Sequence, residues 1–122
     1  MAHRLLGLDH VQLAMPRGRE VEARAFYGAI LGLEERPKPP VLAGRGGCWF
    51  SNDVVTLHLG VEDDFRPARK AHPAVVVDDL DGLWRTLADA GYTVQPDQTV
   101  PGVRRGYVDD PFGNRIELIE AS

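Results

Sequence analysis

The stretch HPAVVVDDLDGLWRTLADAG, residues 72–91, contains the signals that decide the fold. Its opening apolar run, rich in valine, predicts a β-strand over 72–77. Asp79 is suited to cap a helix, because its carboxylate can accept hydrogen bonds from the amides of the first turn. Gly91 suits the left-handed residue that ends a helix. Between them the apolar side chains recur at helical spacing: Leu80, Leu83, Trp84, Leu87 and Ala88.

The same order occurs in the first half of the chain. Residues 8–15 predict a strand, and residues 19–31 predict a helix that ends at Gly32. Three more strands are predicted after each helix: 33–36, 48–51 and 54–59 in the first half, and 92–95, 103–109 and 114–119 in the second. The intervening stretches 37–47, 60–71 and 96–102 predict loops. The sequence therefore predicts an α+β fold in one domain, with two βαβββ modules at about 1–60 and 70–122.

Corresponding residues of the two halves lie at nearly equal distances, with a three-residue length difference near the first helix. His10 and His72 lie 62 residues apart in the opening strands, and His58 and Glu117 lie 59 apart in the closing strands. The predicted helix-ending glycines are also 59 residues apart. A duplicated module is the simplest explanation.

Composition excludes several classes of protein. The chain has 122 residues, 43% hydrophobic and 26% charged, which is typical of a single globular domain. A net charge of −4 without a basic cluster argues against a nucleic-acid partner. No apolar run approaches the 18 or more residues of a membrane span. The single cysteine, Cys48, cannot form an intrachain disulfide, so we expect a cytoplasmic protein.

Alternation along the strands places chemically useful side chains on one face. His10 and Gln12 share a face of the first strand, whereas the opposite face is apolar and can pack beneath a helix. His58, His72 and Glu117 occupy equivalent faces of their strands. Imidazole and carboxylate ligands suit Zn, Ni, Co, Mn or Fe, and such a site keeps positions open for two adjacent substrate oxygens. This pattern favours a Lewis-acid metalloenzyme.

Aromatic and basic residues near these positions are candidates for substrate contacts. Trp49 and Tyr107 lie on strands that form either the wall of the cavity or its back, and alternation alone does not decide between them. Arg104 and Arg105 are adjacent, so one must point inward, where it could hold a carboxylate or phosphate or form a cross-strand ion pair. We expect Gln12, Trp49, Arg104 and Tyr107 to contact substrate.

Four motifs together resemble the vicinal oxygen chelate superfamily, which includes glyoxalase I, bleomycin-resistance proteins, fosfomycin-resistance enzymes and extradiol dioxygenases. They are LDHV at 8–11, AFY at 25–27 with LGL at 31–33, HPAVVVD at 72–78, and DPFGNRIE at 110–117. The resemblance implies a cupped mixed sheet built from two glyoxalase/bleomycin-resistance-like modules. It also implies that each cavity is lined by two modules, often from different chains of a dimer with exchanged halves, so we expect a homodimer.

The resemblance also implies the roles of individual residues. Metal ligands in the opening and closing strands map onto His10, His58, His72 and Glu117, with Glu117 also a catalytic proton shuttle if it detaches. We therefore expect a glyoxalase-like lyase, isomerase or transferase that acts on a small substrate with vicinal oxygens. A metal-free, bleomycin-resistance-like protein that sequesters a small molecule is the alternative. A structural or regulatory module that binds neither metal ions nor small molecules is the third possibility.

Overall fold

Each half of the chain folds as a four-stranded sheet with a helix, in the predicted α+β order. The computed structural model describes residues 2–122. The first module contains β1 (Val11–Met15), α1 (Glu20–Ala23) continuing into a π-helical stretch (Arg24–Ile30), β2 (Glu34–Arg36), α2 (Pro40–Ala43), β3 (Cys48–Ser51) and β4 (Thr56–Val61). The second contains β5 (Ala74–Val77), α3 (Leu80–Asp89), β6 (Gln95–Asp97), β7 (Arg105–Asp109) and β8 (Arg115–Glu120).

The strand order is the same in both sheets. It is β1-β4-β3-β2 in the first and β5-β8-β7-β6 in the second. In each sheet the opening strand runs parallel to the closing strand, whereas the other pairs are antiparallel. The fold prediction is confirmed, with one refinement: within a single chain the modules form two separate sheets. The opening strands β1 and β5 are sheet edges, and each has one side free to pair.

A shared apolar core holds the modules together. Met15 of β1, Phe26 and Tyr27 of the first helical segment, and Leu80 and Leu87 of α3 are fully buried. Burial of side chains of this size contributes on the order of 2 kcal/mol each. The predicted apolar face of α3 therefore packs inward, whereas the first helical segment buries Ala23, Phe26 and Tyr27 and leaves Val21 exposed, and the two modules share their core. Within residues 2–122, no helix is long and apolar enough to cross a membrane.

Both helices end as predicted. Gly32 and Gly91 have φ angles of +80° and +92°, the left-handed conformation expected of a residue that closes a helix. The Asp79 side chain accepts a 3.0 Å hydrogen bond from the amide of Gly82, which confirms its capping role.

Several predicted boundaries are wrong. The strand predicted over 92–95 lies at Gln95–Asp97 and includes Pro96, which the sequence analysis assigned to a loop. An edge strand tolerates proline because its outer side makes no ladder hydrogen bonds. The predicted loop 37–47 contains the short helix α2, with Pro40 in its first turn, where a missing amide hydrogen costs nothing.

The first strand and first helix also differ from expectation. β1 begins at Val11, so His10 precedes the strand instead of lying within it. The predicted 19–31 helix is α-helical only over Glu20–Ala23 and then continues as a π-helix. Apolar spacing marks the buried side of a helix but does not distinguish these two hydrogen-bond patterns.

A buried polar junction connects the modules at the turn between β7 and β8. The Tyr27 hydroxyl donates a 2.7 Å hydrogen bond to Asp110 Oδ2. Asn114 Nδ2 donates to the same oxygen and to the carbonyl of Ala14 on β1. Asp110 Oδ1 accepts from the amides of Phe112 and Asn114. The 110–114 motif thus fixes the turn and its contact with the first module.

Candidate functional site

The four residues predicted to bind metal form two pairs, one on each sheet. His10 lies against His58 in the first module, and His72 lies against Glu117 in the second. Across residues 2–122, no three His, Cys, Asp or Glu side chains gather closely enough to hold one metal ion. A single site in which all four residues of one chain converge is therefore not what the structure contains.

The pair in the second module has its donor atoms facing each other. His72 Nε2 lies 2.8 Å from Glu117 Oε1, and His72 Nδ1 lies 2.7 Å from the carbonyl oxygen of Lys70. Because a carbonyl can only accept, Nδ1 carries the proton of that bond. Nε2 and Oε1 are then two acceptors that face each other, so a proton shared between them, or a metal ion bound beside the line that joins them, satisfies both.

Arg105 and Tyr107 surround this pair. Arg105 Nη1 lies 3.2 Å from Glu117 Oε2. The Tyr107 ring packs edge-on against the His72 ring, with centroids 5.4 Å apart. Of the two adjacent arginines, Arg105 is therefore the one that points inward. Arg104 lies on the outer face, where it pairs with Asp81 and Glu120, so the structure does not bring this predicted substrate contact into the site.

The pair in the first module is a stack of aromatic rings. Trp49 and His58 are nearly parallel, at 6° with centroids 4.1 Å apart, and the His10 ring covers the other face of His58, also at 4.1 Å. Gln12 lies on the same face of the sheet, and its side chain covers Gly60. The stack leaves only the edge of the His58 ring free to bind a ligand.

Burial and charge disfavour protonation of the His58 ring. Its pKa is lowered from 6.5, first by desolvation and then by the neighbouring His10. A neutral imidazole retains the lone pair that a metal ion requires. His10 Nδ1 lies 2.8 Å from Asp9 Oδ2, and since a carboxylate accepts, that nitrogen is a donor and Nε2 is the ligand atom that remains.

Three residues that support the site were missed in the sequence. Asp97 and Thr99 contact Arg105, but the sequence analysis assigned them to a loop, so no strand register placed Asp97 opposite Arg105. Asp9 belongs to the LDHV motif, which by itself assigns it no role. The signal available was its position directly before a candidate ligand, since metal-binding histidines commonly donate their second nitrogen to a carboxylate.

An open apolar recess lies between the two free sheet edges. It is lined by residues 8–11 beside β1, by 54–57, and by 73–76 along β5. Three large apolar side chains in its lining are exposed: Leu8, Val54 and Val76. Exposed apolar side chains gathered at one place are typical of a surface that another molecule covers.

The chain is similar to several solved structures. A glyoxalase family protein from Bacillus anthracis is 50% identical, superposes with a TM-score of 0.94, and is matched over 100% of both chains. The fosfomycin resistance protein FosX from Listeria monocytogenes is 18% identical with a TM-score of 0.77, over 98% of this chain and 96% of that one. A second FosX structure, complexed with Mn(II) and sulfate, is 17% identical with a TM-score of 0.78, over 98% and 93% of the two chains.

No curated protein matches the sequence. A family model, however, agrees with the structural similarities. Residues 7–118 match the model of the Glyoxalase/Bleomycin resistance protein/Dioxygenase superfamily, which covers both modules and all four histidine and glutamate positions described above. The chain therefore belongs to this superfamily.

Proposed function

We propose that the protein is a cytoplasmic, divalent-metal-dependent enzyme of the vicinal oxygen chelate type. It acts as a lyase, isomerase or transferase on a small substrate with two adjacent oxygens. The observation that carries the proposal is the His72–Glu117 pair, in which Nδ1 is engaged by a carbonyl and Nε2 faces a carboxylate at 2.8 Å. This arrangement prepares Nε2 and Oε1 as ligand atoms.

A homodimer completes the site. His10 and His58 of one copy meet His72 and Glu117 of the other, since each chain holds only two ligands at each place. The free edges of β1 and β5 and the exposed apolar side chains beside them supply the surface for this pairing. The Mn(II) in the Listeria FosX structure supports a divalent ion in this fold.

The protein's own side chains have separate roles in the proposed reaction. When bound, a divalent ion supplies a Lewis acid that stabilises negative charge on a substrate oxygen by several kcal/mol. Trp49 and Tyr107 shape the two walls and exclude water, and Gln12 offers an amide to a polar group of the substrate. When it is detached from the ion, Glu117 Oε1 is the base that can take a proton from the substrate and return it.

Complementation between two inactive variants tests the proposal. One variant carries His10→Ala and His58→Ala, and the other carries His72→Ala and Glu117→Ala. Each alone loses both sites of its homodimer. Unfolded together and refolded at equal concentration, they form heterodimers with one intact site, so bound metal should recover to about a quarter of the wild-type level. His3→Ala, an exposed imidazole elsewhere, is the matched control and should bind as wild type does.

Two results would contradict the proposal. Wild-type protein that takes up no Mn, Co, Ni, Zn or Fe after reconstitution would overturn the metalloenzyme. Metal bound by the wild type but not recovered in the mixture would overturn the shared site.

A metal-free sequestering protein is the second candidate, and the stacked rings of Trp49, His58 and His10 favour it. The His10 side chain at the end of the stack is 39% exposed and can continue the stack with a planar ligand. Under this alternative, aromatic compounds would raise the melting temperature of chelator-treated protein, because any ligand of the native state stabilises it. Divalent metals would not.

A further inference from the structure

We propose that Arg105 is a positioning residue for Glu117. Together with Asp97 and Thr99 it forms a carboxylate clamp, which holds the Glu117 side chain so that one oxygen faces His72. The inference rests on the proposed metal site and adds to it a determinant of metal affinity outside the four ligands.

The contacts run in one line across the sheet. Asp97 of β6 is the register partner of Arg105 on β7, and Glu117 of β8 lies diagonally opposite Arg105. Arg105 Nη2 donates to Thr99 Oγ1 at 3.3 Å and to Asp97 Oδ2 at 3.4 Å, while Nη1 donates to Glu117 Oε2 at 3.2 Å. The guanidinium is thus anchored on one side and holds the carboxylate on the other.

The anchor is itself ordered by local hydrogen bonds. The Thr99 hydroxyl donates to Asp97 Oδ1 at 2.7 Å, and the Thr99 amide donates to the same oxygen at 2.8 Å. One oxygen of Asp97 therefore fixes the loop after β6, and the other receives Arg105. The clamp is continuous from the edge strand to the candidate ligand.

Burial strengthens the ion pair between Arg105 and Glu117. The Arg105 side chain is 19% exposed and that of Glu117 is 7% exposed, in contrast to surface ion pairs that water screens. Arg105 Nε is buried and has no hydrogen-bond partner within the described chain, so the guanidinium makes its hydrogen bonds through Nη1 and Nη2. Removing the cation from a buried carboxylate leaves that charge uncompensated.

The clamp leaves Glu117 with one oxygen to present to an ion. With Oε2 engaged by Arg105, Oε1 is the atom directed at His72 Nε2. Without Arg105 the carboxylate is free to rotate about its terminal bond and to present both oxygens. Outer contacts that orient a ligand in this way commonly change metal affinity about 10- to 100-fold when removed.

The adjacent arginine supplies a matched control. Arg105→Gln and Arg104→Gln remove the same charge from neighbouring positions, but Arg104 lies on the outer face with Asp81 and Glu120. Titration of metal-free protein with Co²⁺ should show affinity about 10- to 100-fold weaker in Arg105→Gln. Arg104→Gln should stay within about twofold of wild type, since it breaks exposed pairs only.

The visible spectrum of bound Co²⁺ separates positioning from general destabilisation. A carboxylate that binds through two oxygens instead of one changes the coordination number, so the absorption bands of Arg105→Gln should shift in position and intensity. Arg105→Lys keeps a cation without the two-armed guanidinium and should recover part of the affinity.

The outcomes separate the two proposals. If wild type binds Co²⁺ and Arg105→Gln binds it equally well with the same spectrum, the clamp is overturned and the metal site stands. If wild type binds none, both are overturned. Should Arg105→Gln fail to fold by circular dichroism, Thr99→Val decides: it removes one anchor and should weaken binding a few-fold, and unchanged affinity overturns the clamp.

Discussion

The two modules share one backbone plan but differ in what each places at equivalent positions. The pairing registers align Trp49 with Tyr107, because they lie opposite His58 and Glu117 respectively. The first module places a stack of aromatic rings there, and the second places an ion pair and a hydrogen-bonded histidine. Two modules with the same strand order therefore carry different chemistry on their cavity faces.

The turn between β3 and β4 and the turn between β7 and β8 also differ between the modules. In the first module, Asn52 Oδ1 accepts from the amides of Val54 and Val55 at the surface. In the second, Asp110 uses the same device but is 4% exposed and also receives the hydroxyl of Tyr27. One turn is local, whereas the other holds the modules together.

The largest predicted effect is the loss of stability when the turn between β7 and β8 loses its buried acceptor. Asp110→Ala should destabilise the protein by about 4 kcal/mol, because it leaves several buried donors without an acceptor. Asn52→Ala removes the equivalent acceptor from a solvated turn and should cost about 1 kcal/mol. Urea unfolding measures both. Equal losses would show that the junction adds nothing to the turn.

A second prediction ranks the two ligand pairs. His72→Ala should weaken divalent metal binding on the order of 100-fold, since Nε2 faces its partner carboxylate directly. His58→Ala should weaken it about tenfold, because the ring is covered on both faces and contributes through its edge only. Calorimetric titration with Mn²⁺ gives the ratio. The reverse order would make the first module the principal metal-binding half.

The third prediction concerns acid pH. The lowered pKa of His58 means that the unfolded chain binds more protons than the native state as the pH falls below about 6.5. The stability of metal-free protein should therefore be fully present above that pH and decline as the pH falls through the native pKa. His58→Gln should flatten this decline in denaturant titrations between neutral and acid pH, whereas His3→Gln should leave it unchanged. A decline identical in all three proteins would remove His58 from the explanation.

The smallest effect concerns Cys48, which is aligned with Gly106 of the second module. Burial raises the pKa of its thiol to about 11. At pH 8 only about one thiol in a thousand is ionised at that pKa, so a disulfide reagent should label native protein slowly and label unfolded protein at once. Rapid stoichiometric labelling of the native protein would contradict the buried position.

The sequence was sufficient for the fold because hydrophobic spacing, the Asp79 cap and the glycine ends all report local structure. It was insufficient for the site because the contacts between side chains on neighbouring strands depend on the register of those strands. The shift of β6 to Gln95–Asp97 places Asp97 beside Arg105, and no periodicity in residues 92–102 predicts it. Alternation of side chains likewise placed His58 and Glu117 on equivalent faces of their strands. It could not decide whether Arg104 or Arg105 points inward.

The contrast between the modules extends to a position where no side chain is possible. Gly47 precedes Trp49 by two residues, as Arg105 precedes Tyr107, and it has a φ of +82°. A Cβ atom there would lie 2.1 Å from the carbonyl oxygen of Leu59, so every other amino acid is excluded without moving the backbone. The first half of the molecule therefore cannot gain a guanidinium at this point by substitution. Attempts to make the two halves chemically alike would have to redesign the 40–47 connection first.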